Sequence, residues 1–447
     1  MNNLSARLRH LWTDESGQAM VLVAVAMTML VGFAALVIDI GQAHYEQSRV
    51  QAAADASALA AALEIGGPCS SVANCSAMQT AAQQALVENG MTGSTLATQC
   101  GSSAATGITL MVNNGPCALG SNDPNSGNSD YVETVVTEVE PTYLAKALGI
   151  NSMKISARAE AKIGNSQFCV DVQDPGSVAF DDSGSSVLNA PTCGIDINSS
   201  ANNGLTISGS ATIDANAVEV HGPKDSTSGN IKFPGAQPAF GAPSLIDPLN
   251  WLNSQAPSTS PCTPGDTNTV QISATTNTTL SPGVYCGGIR ISGSSPVTFN
   301  PGTYVITGST GLSVSGSSRL TGTGVTFYFS QGSLVMSGSS TVTLVAPTTG
   351  TYAGVLIFQS PSDATPMTIS GSSSSAYQGA IYLPCNPSAT NCANAGLTIS
   401  GGGNNAAYTI LDTYKLNMSG SVDFNVGSDY SSLPNGSPAK GTSVLVE

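Results

Sequence analysis

The sequence contains few charged, histidine and aromatic residues. Only 9% of its 447 residues are charged and 5% are aromatic, and 13 lysines and arginines stand against 28 acidic residues, for a net charge of −15. An acidic chain without a basic stripe repels phosphate, which excludes nucleic acid as a partner. The three histidines, His10, His44 and His221, are too few and too scattered for a histidine-rich metal site or for most histidine-based catalysis.

One long apolar run is present, at residues 19–40, and its single charge, Asp39, lies at the far end. As a helix this run would rise about 33 Å, enough to cross the hydrocarbon core of a bilayer. A cleavable signal peptide is the alternative. However, the run continues into a polar helical sequence rather than a small-x-small cleavage site. We therefore predict an uncleaved transmembrane helix at 19–40, with the lipid bilayer as its partner.

The flanking charges predict the orientation of this helix. Arg7 and Arg9 precede the apolar run, whereas the first cation after it is Arg49. Under the positive-inside rule, residues 1–18 form a cytoplasmic tail, and the bulk of a single-pass protein lies in the periplasm or outside the cell. Asp39, at the outer edge, is expected to be a solvated interfacial carboxylate rather than a functional acid within the membrane.

Cysteine is absent before and within the apolar run. All ten cysteines follow it, and an even number on the exported side indicates disulfides formed in an oxidising compartment. Their clustering suggests five sequential pairs, although other pairings stay open: Cys69–Cys75, Cys100–Cys117, Cys169–Cys193, Cys262–Cys286 and Cys385–Cys392. Zinc is the alternative, but the sequence has no Cys-x-x-Cys motif and little histidine, so we predict no metal at the cysteines.

Residues 41–165 are predicted to form a small α+β domain. Alanine-rich sequence without glycine or proline extends the first helix to about residue 64, and a second helix is expected at 77–88. Alternating apolar and polar residues predict strands at 131–139 and 153–163. A long N-terminal helix joined to a small α+β head resembles the architecture of pilins.

Three sequence phrases within residues 14–65 resemble a known family. They are Glu-Ser-Gly-Gln-Ala from Glu15, Val-Ile-Asp-Ile-Gly-Gln-Ala from Val37, and Val-Gln-Ala-Ala-Ala-Asp-Ala-Ser-Ala-Leu-Ala from Val50. Together they resemble the N-terminal region of TadG-like proteins, accessory proteins of the tight-adherence (Flp) pilus assembly system. The resemblance implies the inner membrane of a Gram-negative-type envelope, pilus-assembly or pilin-like partners, and a role in pilus assembly or anchoring without catalysis.

One position departs from prepilin subunits, which carry a glutamate five residues after the cleavage glycine. Counted from Gly17, the fifth residue is Leu22. This departure favours a permanently anchored accessory protein over a processed pilus subunit. A single-pass anchor with an exported domain and no link to pili is the alternative.

Residues 166–447 are rich in serine, threonine and glycine, and a seven-residue phrase recurs in them. The phrase has apolar second and fourth residues, a mostly small polar third residue and a Ser-Gly turn, and it starts at residues 204, 288, 311, 333, 366, 396 and 415. Such spacing is typical of a stacked solenoid. We predict a right-handed parallel β-helix, so that the whole chain has a mixed fold. A leucine-rich repeat has a similar period, but its asparagine consensus is missing here. A β-sandwich is the alternative that stays open.

The longest gap between phrases contains residues 221–282, which are rich in proline, serine and threonine and include Trp251. We predict that this stretch is an irregular insertion held on the solenoid by Cys262 and Cys286. Long irregular loops are often functional, so it is either a partner-contact surface or a packing cap.

Parallel β-helices often act on polysaccharides, and glycosidases need two carboxylates beside the scissile bond. The outward third positions of the phrases contain no acid: Thr206, Arg290, Ser313, Val335, Thr368, Thr398 and Asn417. Asp196 and Asp214 could lie on neighbouring coils, and they are the only pair considered as calcium ligands or catalytic acids. We predict no catalytic residue, cofactor or enzymatic activity. A tethered β-helix that binds or cleaves envelope polysaccharide is the alternative.

Overall fold

The computed structural model describes most of the chain and divides it into two compact units. The first unit ends at Ile163 and includes the C-terminal residues from Ser443, and the second unit covers Gly164–Thr442. Most of the predicted cytoplasmic tail, with Arg7 and Arg9, lies outside the described residues. The described residues are 15–446 except 67–68, 70–73, 98–99, 101–106, 264–267, 274–276, 295, 372–373, 389–390 and 435.

The first unit begins with one continuous helix, α1, from Glu15 to Leu63. The apolar side chains of its first half, from Met20 to Ile40, are largely exposed, and an 18-residue window there has a mean hydropathy of 2.8. By length and composition this half can cross a bilayer. The second half buries small residues at helical spacing, which lets neighbouring elements approach closely: Val50, Ala53, Ala54, Ala58, Ala61 and Ala62.

A five-stranded sheet packs against the buried half of α1 and against a second helix, α2, at Ser76–Glu88. The strand order is β1-β2-β3-β4-β29, with β2-β3 and β3-β4 antiparallel. Thr134 donates a hydrogen bond to the carbonyl of Ala54 across this interface, at 2.8 Å. The strands are β1 Thr95–Leu96, β2 Gly107–Asn114, β3 Tyr131–Pro141, β4 Ser152–Asn165 and β29 Lys440–Leu445.

The second unit is a parallel β-helix of 24 strands, as the recurring phrase predicts. Apolar residues at alternate positions fill its interior as one continuous core. The strands are β5 Phe168–Val172, β6 Phe180–Gly184, β7 Val187–Ile197, β8 Leu205–Gly209, β9 Thr212–Val220, β10 Ser226–Gly229, β11 Pro238–Phe240, β12 Val270–Ile272, β13 Thr278–Leu280, β14 Gly283–Tyr285, β15 Ile289–Ile291, β16 Pro296–Phe299, β17 Gly302–Ile306, β18 Leu312–Val314, β19 Arg319–Thr323, β20 Val325–Phe329, β21 Leu334–Met336, β22 Thr341–Val345, β23 Val355–Gln359, β24 Met367–Ile369, β25 Ala376–Leu383, β26 Leu397–Asn404, β27 Thr409–Thr413 and β28 Leu416–Asn425.

The phrases lie in register, coil upon coil, with their third residues in one row. In stacking order, the row is Gln271, Arg290, Ser313, Val335, Thr368, Thr398, Asn417, Asp181, Thr206 and Ser226. Serines at the fifth position reach the neighbouring coil: Ser370, for example, donates to the carbonyl of Met336 at 2.8 Å. The serine phrases therefore form a structural ladder.

The stacking order differs from the chain order. The first strands of the unit, β5 to β7, pair with the last strands, β27 and β28. The chain thus enters the stack between its two ends, builds coils to one end at β11, crosses to the opposite end at β12, and returns coil by coil to its entry point. This path explains the 84-residue gap between the first two phrases.

The crossing segment, residues 241–263, is called the strap. It begins where Ala242 donates to the carbonyl of Val220 (3.1 Å) and ends where Thr263 donates to that of Val284 (2.8 Å), on coils far apart in the stack. The predicted insertion at 221–282 therefore contains more than irregular structure, because β10 to β13 within it belong to coils.

Five disulfides join the ten cysteines in the sequential pairs that the clustering suggests. They are Cys69–Cys75, Cys100–Cys117, Cys169–Cys193, Cys262–Cys286 and Cys385–Cys392. The fourth bridge fastens the end of the strap to the coil that starts the return array. Each bridge closes a short loop, so each restrains the unfolded chain only locally.

Substitution of Gly316 by alanine is expected to lower the free energy of unfolding of the β-helix by at least about 3 kcal/mol. Gly316 has a φ of +92°, and a Cβ there would lie 2.4 Å from the carbonyl oxygen of Gly293 on the neighbouring coil. The matched control is Gly401→Ala, because Gly401 also has a positive φ (+80°) but no atom within 4 Å of its Cβ position. The control should lose only the backbone term of about 1–2 kcal/mol.

The measurement is urea unfolding of the full chain in detergent, followed by tryptophan fluorescence. A Trp12→Phe background leaves Trp251 as the single tryptophan. Its indole N–H donates to the carbonyl of Pro438 at 3.0 Å, so its emission reports on the folded second unit. Equal losses in the two glycine variants would contradict the close approach of the coils.

Candidate functional site: an acidic stripe under the strap

An outward-facing row of the β-helix runs beneath the strap. The side chains in the first part of this row are apolar or aromatic, and those in the second part are acidic. In stacking order, it contains Val284, Val305, Tyr328, Phe358, Tyr382, Asp412, Asp171, Asp196 and Glu219. The apolar members form a cluster with Leu249 and Leu252 of the strap. The four acids, Asp412, Asp171, Asp196 and Glu219, are called the acidic stripe.

Three members of the acidic stripe are closed to solvent. Asp412, Asp171 and Asp196 are exposed by 0%, 2% and 1%. One oxygen of each, Oδ2, has no hydrogen-bond partner within the part of the chain that the structure describes. Strands in a parallel stack lie about 4.8 Å apart, so that the carboxyl groups repel one another if ionised.

Burial shifts the acid–base equilibria of the stripe. It raises the pKa of Asp171 and of Asp412 well above the usual range, with a further contribution from the neighbouring carboxylates. Burial, and then the charge of Glu219, raises the pKa of Asp196 to about 7. These three aspartates therefore hold protons at pH values where exposed carboxyls are ionised.

Polar contacts join the strap to this row. Asp247 of the strap accepts a hydrogen bond from the hydroxyl of Tyr382 at 2.7 Å. Asn198 donates to Asp171 at 3.4 Å and accepts from the backbone N–H of Leu245 at 2.8 Å. Asp247 is itself largely buried, which raises its pKa. The strap is thus held by apolar packing along one half of the row and by hydrogen bonds along the other.

The candidate pair from the sequence, Asp196 and Asp214, is not brought together. Both lie on neighbouring strands, β7 and β9, but Asp196 is opposite Glu219, and Asp214 is opposite Asn189. The neighbours of Asp196 are Asp171 and Glu219, and Asp412 follows beyond Asp171 although it lies 241 residues from Asp171 in the chain. The available signal was an aspartate between inward-facing residues in three strands: Val170-Asp-Val, Ile195-Asp-Ile and Leu411-Asp-Thr.

The adjacent acids Asp181 and Asp182 diverge, as expected for neighbours on a strand. Asp181 joins the outward row of third positions, whereas Asp182 points into the core between Met418 and Ile207. Ser186 donates a hydrogen bond to Asp182, and burial raises the pKa of Asp182 to about 6. A carboxyl group inside the β-helix contacts no substrate, so its role is structural.

The geometry limits what the acidic stripe can do. Retaining and inverting glycosidases both need two carboxyl groups that reach the sugar. Here Asp171, Asp196 and Asp412 are buried and so are closed to a polymer.

A second feature lies in the first unit, where Asp39 connects α1 to a distant loop. Its carboxylate accepts hydrogen bonds from the backbone N–H groups of Tyr143, Leu144 and Ala145. These groups precede a 3₁₀ helix at Ala145–Leu148. Asp39 is only 8% exposed, so the expectation of a solvated carboxylate is wrong for this residue.

A continuous apolar helix that carries a small sheet domain and a parallel β-helix defines a helix-anchored β-helix protein. Residues 17–64, nearly all of α1, match the model of a family described as putative Flp pilus-assembly TadE/G-like. This match confirms the TadG-like resemblance of the N-terminal region and includes Asp39. Comparison with curated proteins and with solved structures found no match.

Replacement of Asp39 by alanine is expected to release the loop at Tyr143–Ala145. Three backbone N–H groups would lose their acceptor, and a buried group left unpaired costs about 1–3 kcal/mol. Hydrogen exchange of the full chain in detergent should show protection of these amides falling by about 10- to 100-fold. The matched control is Asp55→Ala on the same helix, since Asp55 accepts a hydrogen bond from the nearby Gln51. Unchanged exchange in Asp39→Ala would contradict the contact.

Proposed function

We propose that this protein is a non-catalytic accessory protein in the assembly or anchoring of a tight-adherence (Flp) pilus, held in the bacterial inner membrane as a single-pass protein. The observation that carries the proposal is the TadE/G-like match over residues 17–64, on a helix with one exposed apolar half and one buried half. The exposed half lies in the bilayer with the N-terminus in the cytoplasm.

Both units lie in the periplasm or outside the cell in this proposal. Five disulfides support an oxidising compartment. The first unit contacts pilin-like or pilus-assembly partners, because the residues that match the pilus-assembly family, 17–64, form its long helix. The β-helix presents a long face that is available for adhesion or for binding at the cell surface.

A charge-insertion experiment tests the anchor. Val31→Lys with Phe33→Lys places two charges in the middle of the exposed apolar half, where each residue is more than 60% exposed. Each charge should cost about 3 kcal/mol in the bilayer, so carbonate-extracted membranes should lose the protein. The control is Tyr45→Lys, which is 65% exposed but lies beyond the apolar run. Retention of the double variant would contradict the anchor.

A deletion and complementation experiment tests the role in pili. In a bacterium that carries this protein, deletion should remove or sharply reduce surface pili counted by electron microscopy. The wild-type chain should restore them, and Asp39→Ala should restore fewer. Normal pilus numbers in the deletion strain would overturn the proposed role, whatever the anchor experiment shows.

A second candidate function, binding or cleavage of envelope polysaccharide, is favoured by one observation. Four acids line up on an outward face of a parallel β-helix, which is where such proteins place their reactive groups. Purified full-length protein would be incubated with cell-wall polysaccharide with and without calcium. Release of sugar that Asp196→Asn abolishes and Asp423→Asn retains would replace the non-catalytic proposal, because Asp423 is an exposed acid on the surface of the coils.

A further inference from the structure

Three strands of the first unit place polar side chains in one row on the sheet face that points away from α1. Asn113 of β2 is directly opposite Glu133 of β3, which is directly opposite Glu160 of β4. The neighbouring residues Val132 and Thr134 point the other way, towards the helices. Directly opposed side chains lie about 5 Å apart, so the row is a contiguous set of oxygen-bearing groups.

Asp123, which follows a 3₁₀ helix at Gly120–Asn122, completes this group. One carboxylate oxygen from each of Asp123, Glu133 and Glu160 lies within 4.8 Å of the other two. The three side chains are buried, with residue exposures of 6%, 0% and 1%. Within the described residues no other set of three acidic, histidine or cysteine side chains meets this distance, and the acidic stripe of the β-helix does not.

The charges of this group do not balance. Arg158 forms ion pairs with all three carboxylates. Neutral donors satisfy further oxygens, because the backbone N–H groups of Cys117 and Ala118 donate to Glu133, and Asn125 donates to Asp123 and Glu160. One guanidinium still compensates only one of the three formal negative charges.

Asn113 is the independent observation that points to a ligand. Its side chain is 2% exposed, and neither its Oδ1 nor its Nδ2 has a hydrogen-bond partner among the residues that the structure describes. A buried amide without a partner costs about 1–3 kcal/mol, so native proteins rarely leave one unpaired. An amide oxygen beside carboxylates is a common ligand of calcium.

We propose that Asp123, Glu133, Glu160 and Asn113 bind one calcium ion. Three carboxylates, one guanidinium and one divalent cation sum to zero charge. All four ligands offer oxygen, the donor that calcium prefers, and water fills the remaining positions. Arg158 keeps its ion pairs to the carboxylates and orients them from outside the ligand shell. The site goes beyond the proposed role in pili and does not depend on it.

Calcium titration of the full chain in detergent, after removal of divalent ions with EDTA, tests the site. Isothermal calorimetry should show one saturable site with a Kd on the order of 10⁻⁴ M, in the range of extracellular calcium modules. Glu160→Gln should weaken binding by at least about 10-fold. The matched control, Asp130→Asn, changes an exposed acid of the same unit and should bind as the wild type does.

A variant that strengthens the site guards against loss of folding. Asn113→Asp adds a carboxylate at the unpaired position and should tighten binding by about 10-fold. Hydrogen exchange of β3 in EDTA checks that Glu160→Gln is folded, since removal of one repelling charge should leave it at least as protected as the wild type. Absence of saturable binding in the wild type at 5 mM calcium would overturn the proposal. Unchanged affinity in both Glu160→Gln and Asn113→Asp would do the same.

Discussion

Replacing Leu249 and Leu252 together with alanine is expected to lower the free energy of unfolding of the β-helix by at least about 4 kcal/mol. Both side chains are fully buried, and both pack on outward-facing residues of several coils, including Val305 and Tyr382. A buried leucine replaced by alanine loses about 2–5 kcal/mol, because transfer energy is lost and a cavity is left. Urea unfolding followed by Trp251 fluorescence measures the change.

The strap itself supplies the control for this experiment. Ile246 lies on the same segment but is 75% exposed, so Ile246→Ala should change the free energy of unfolding by no more than about 0.5 kcal/mol. Limited proteolysis adds a second readout, since a detached strap should be cut faster than the coils. If the double leucine variant unfolded like Ile246→Ala, the packing of the strap would not contribute to the stability of the β-helix, and the prediction would be wrong.

The acidic stripe is expected to make the β-helix lose stability as the pH rises from 4 to 7. The pKa of Asp196 is raised to about 7 in the folded protein, against about 3.9 in an unfolded chain. A raised carboxyl pKa contributes stability that is fully present below the unfolded value and disappears as the pH rises through the folded value. The loss is about 1.4 kcal/mol per pH unit, on the order of 4 kcal/mol in all.

Asp196→Asn is expected to remove the share of this slope that Asp196 contributes and to be more stable than the wild type at pH 8. Asparagine keeps the shape of the protonated acid and cannot ionise. Asp171, Asp412 and Asp182, whose pKa values are also raised, contribute slopes of the same sign and stay in both proteins. Urea unfolding at pH 4.5, 6 and 8 measures the difference, with the exposed Asp423→Asn as control. Parallel pH profiles for wild type and Asp196→Asn would contradict buried, protonated acids in the stripe.

The recurring phrase predicts the β-helix because it specifies which residues face the core, and it cannot predict which coil lies beside which. Phe180 lies between Leu416 and Leu205, and the phrases that contain these two leucines have the same pattern. The spacing of the phrases therefore does not reveal that the first coils stack on the last ones. The disulfides are different, because the two cysteines of each bridge are at most 24 residues apart in the sequence. Local spacing was therefore informative for them.

The candidate sites were hidden for the same reason. Asp39 is buried by a loop 104 residues away, and the acidic stripe joins Asp196 to Asp412 across 216 residues. In the calcium group, Asn113 and Glu160 read as ordinary alternating strand residues, and only the register of β2, β3 and β4 reveals the row. Sequence patterns indicate which face of a strand a residue lies on, whereas the register between strands determines which residues lie beside it.

The stacking order has a mechanical consequence. The chain enters the β-helix at β5 and leaves it after β28, and these strands belong to adjacent coils. Tension between entry and exit therefore crosses a single coil-to-coil boundary, and the remaining coils on either side bear no load. Under force the stack would part at this boundary, at β28 against β6, and leave two intact stacks of unequal length tethered by residues 241–263.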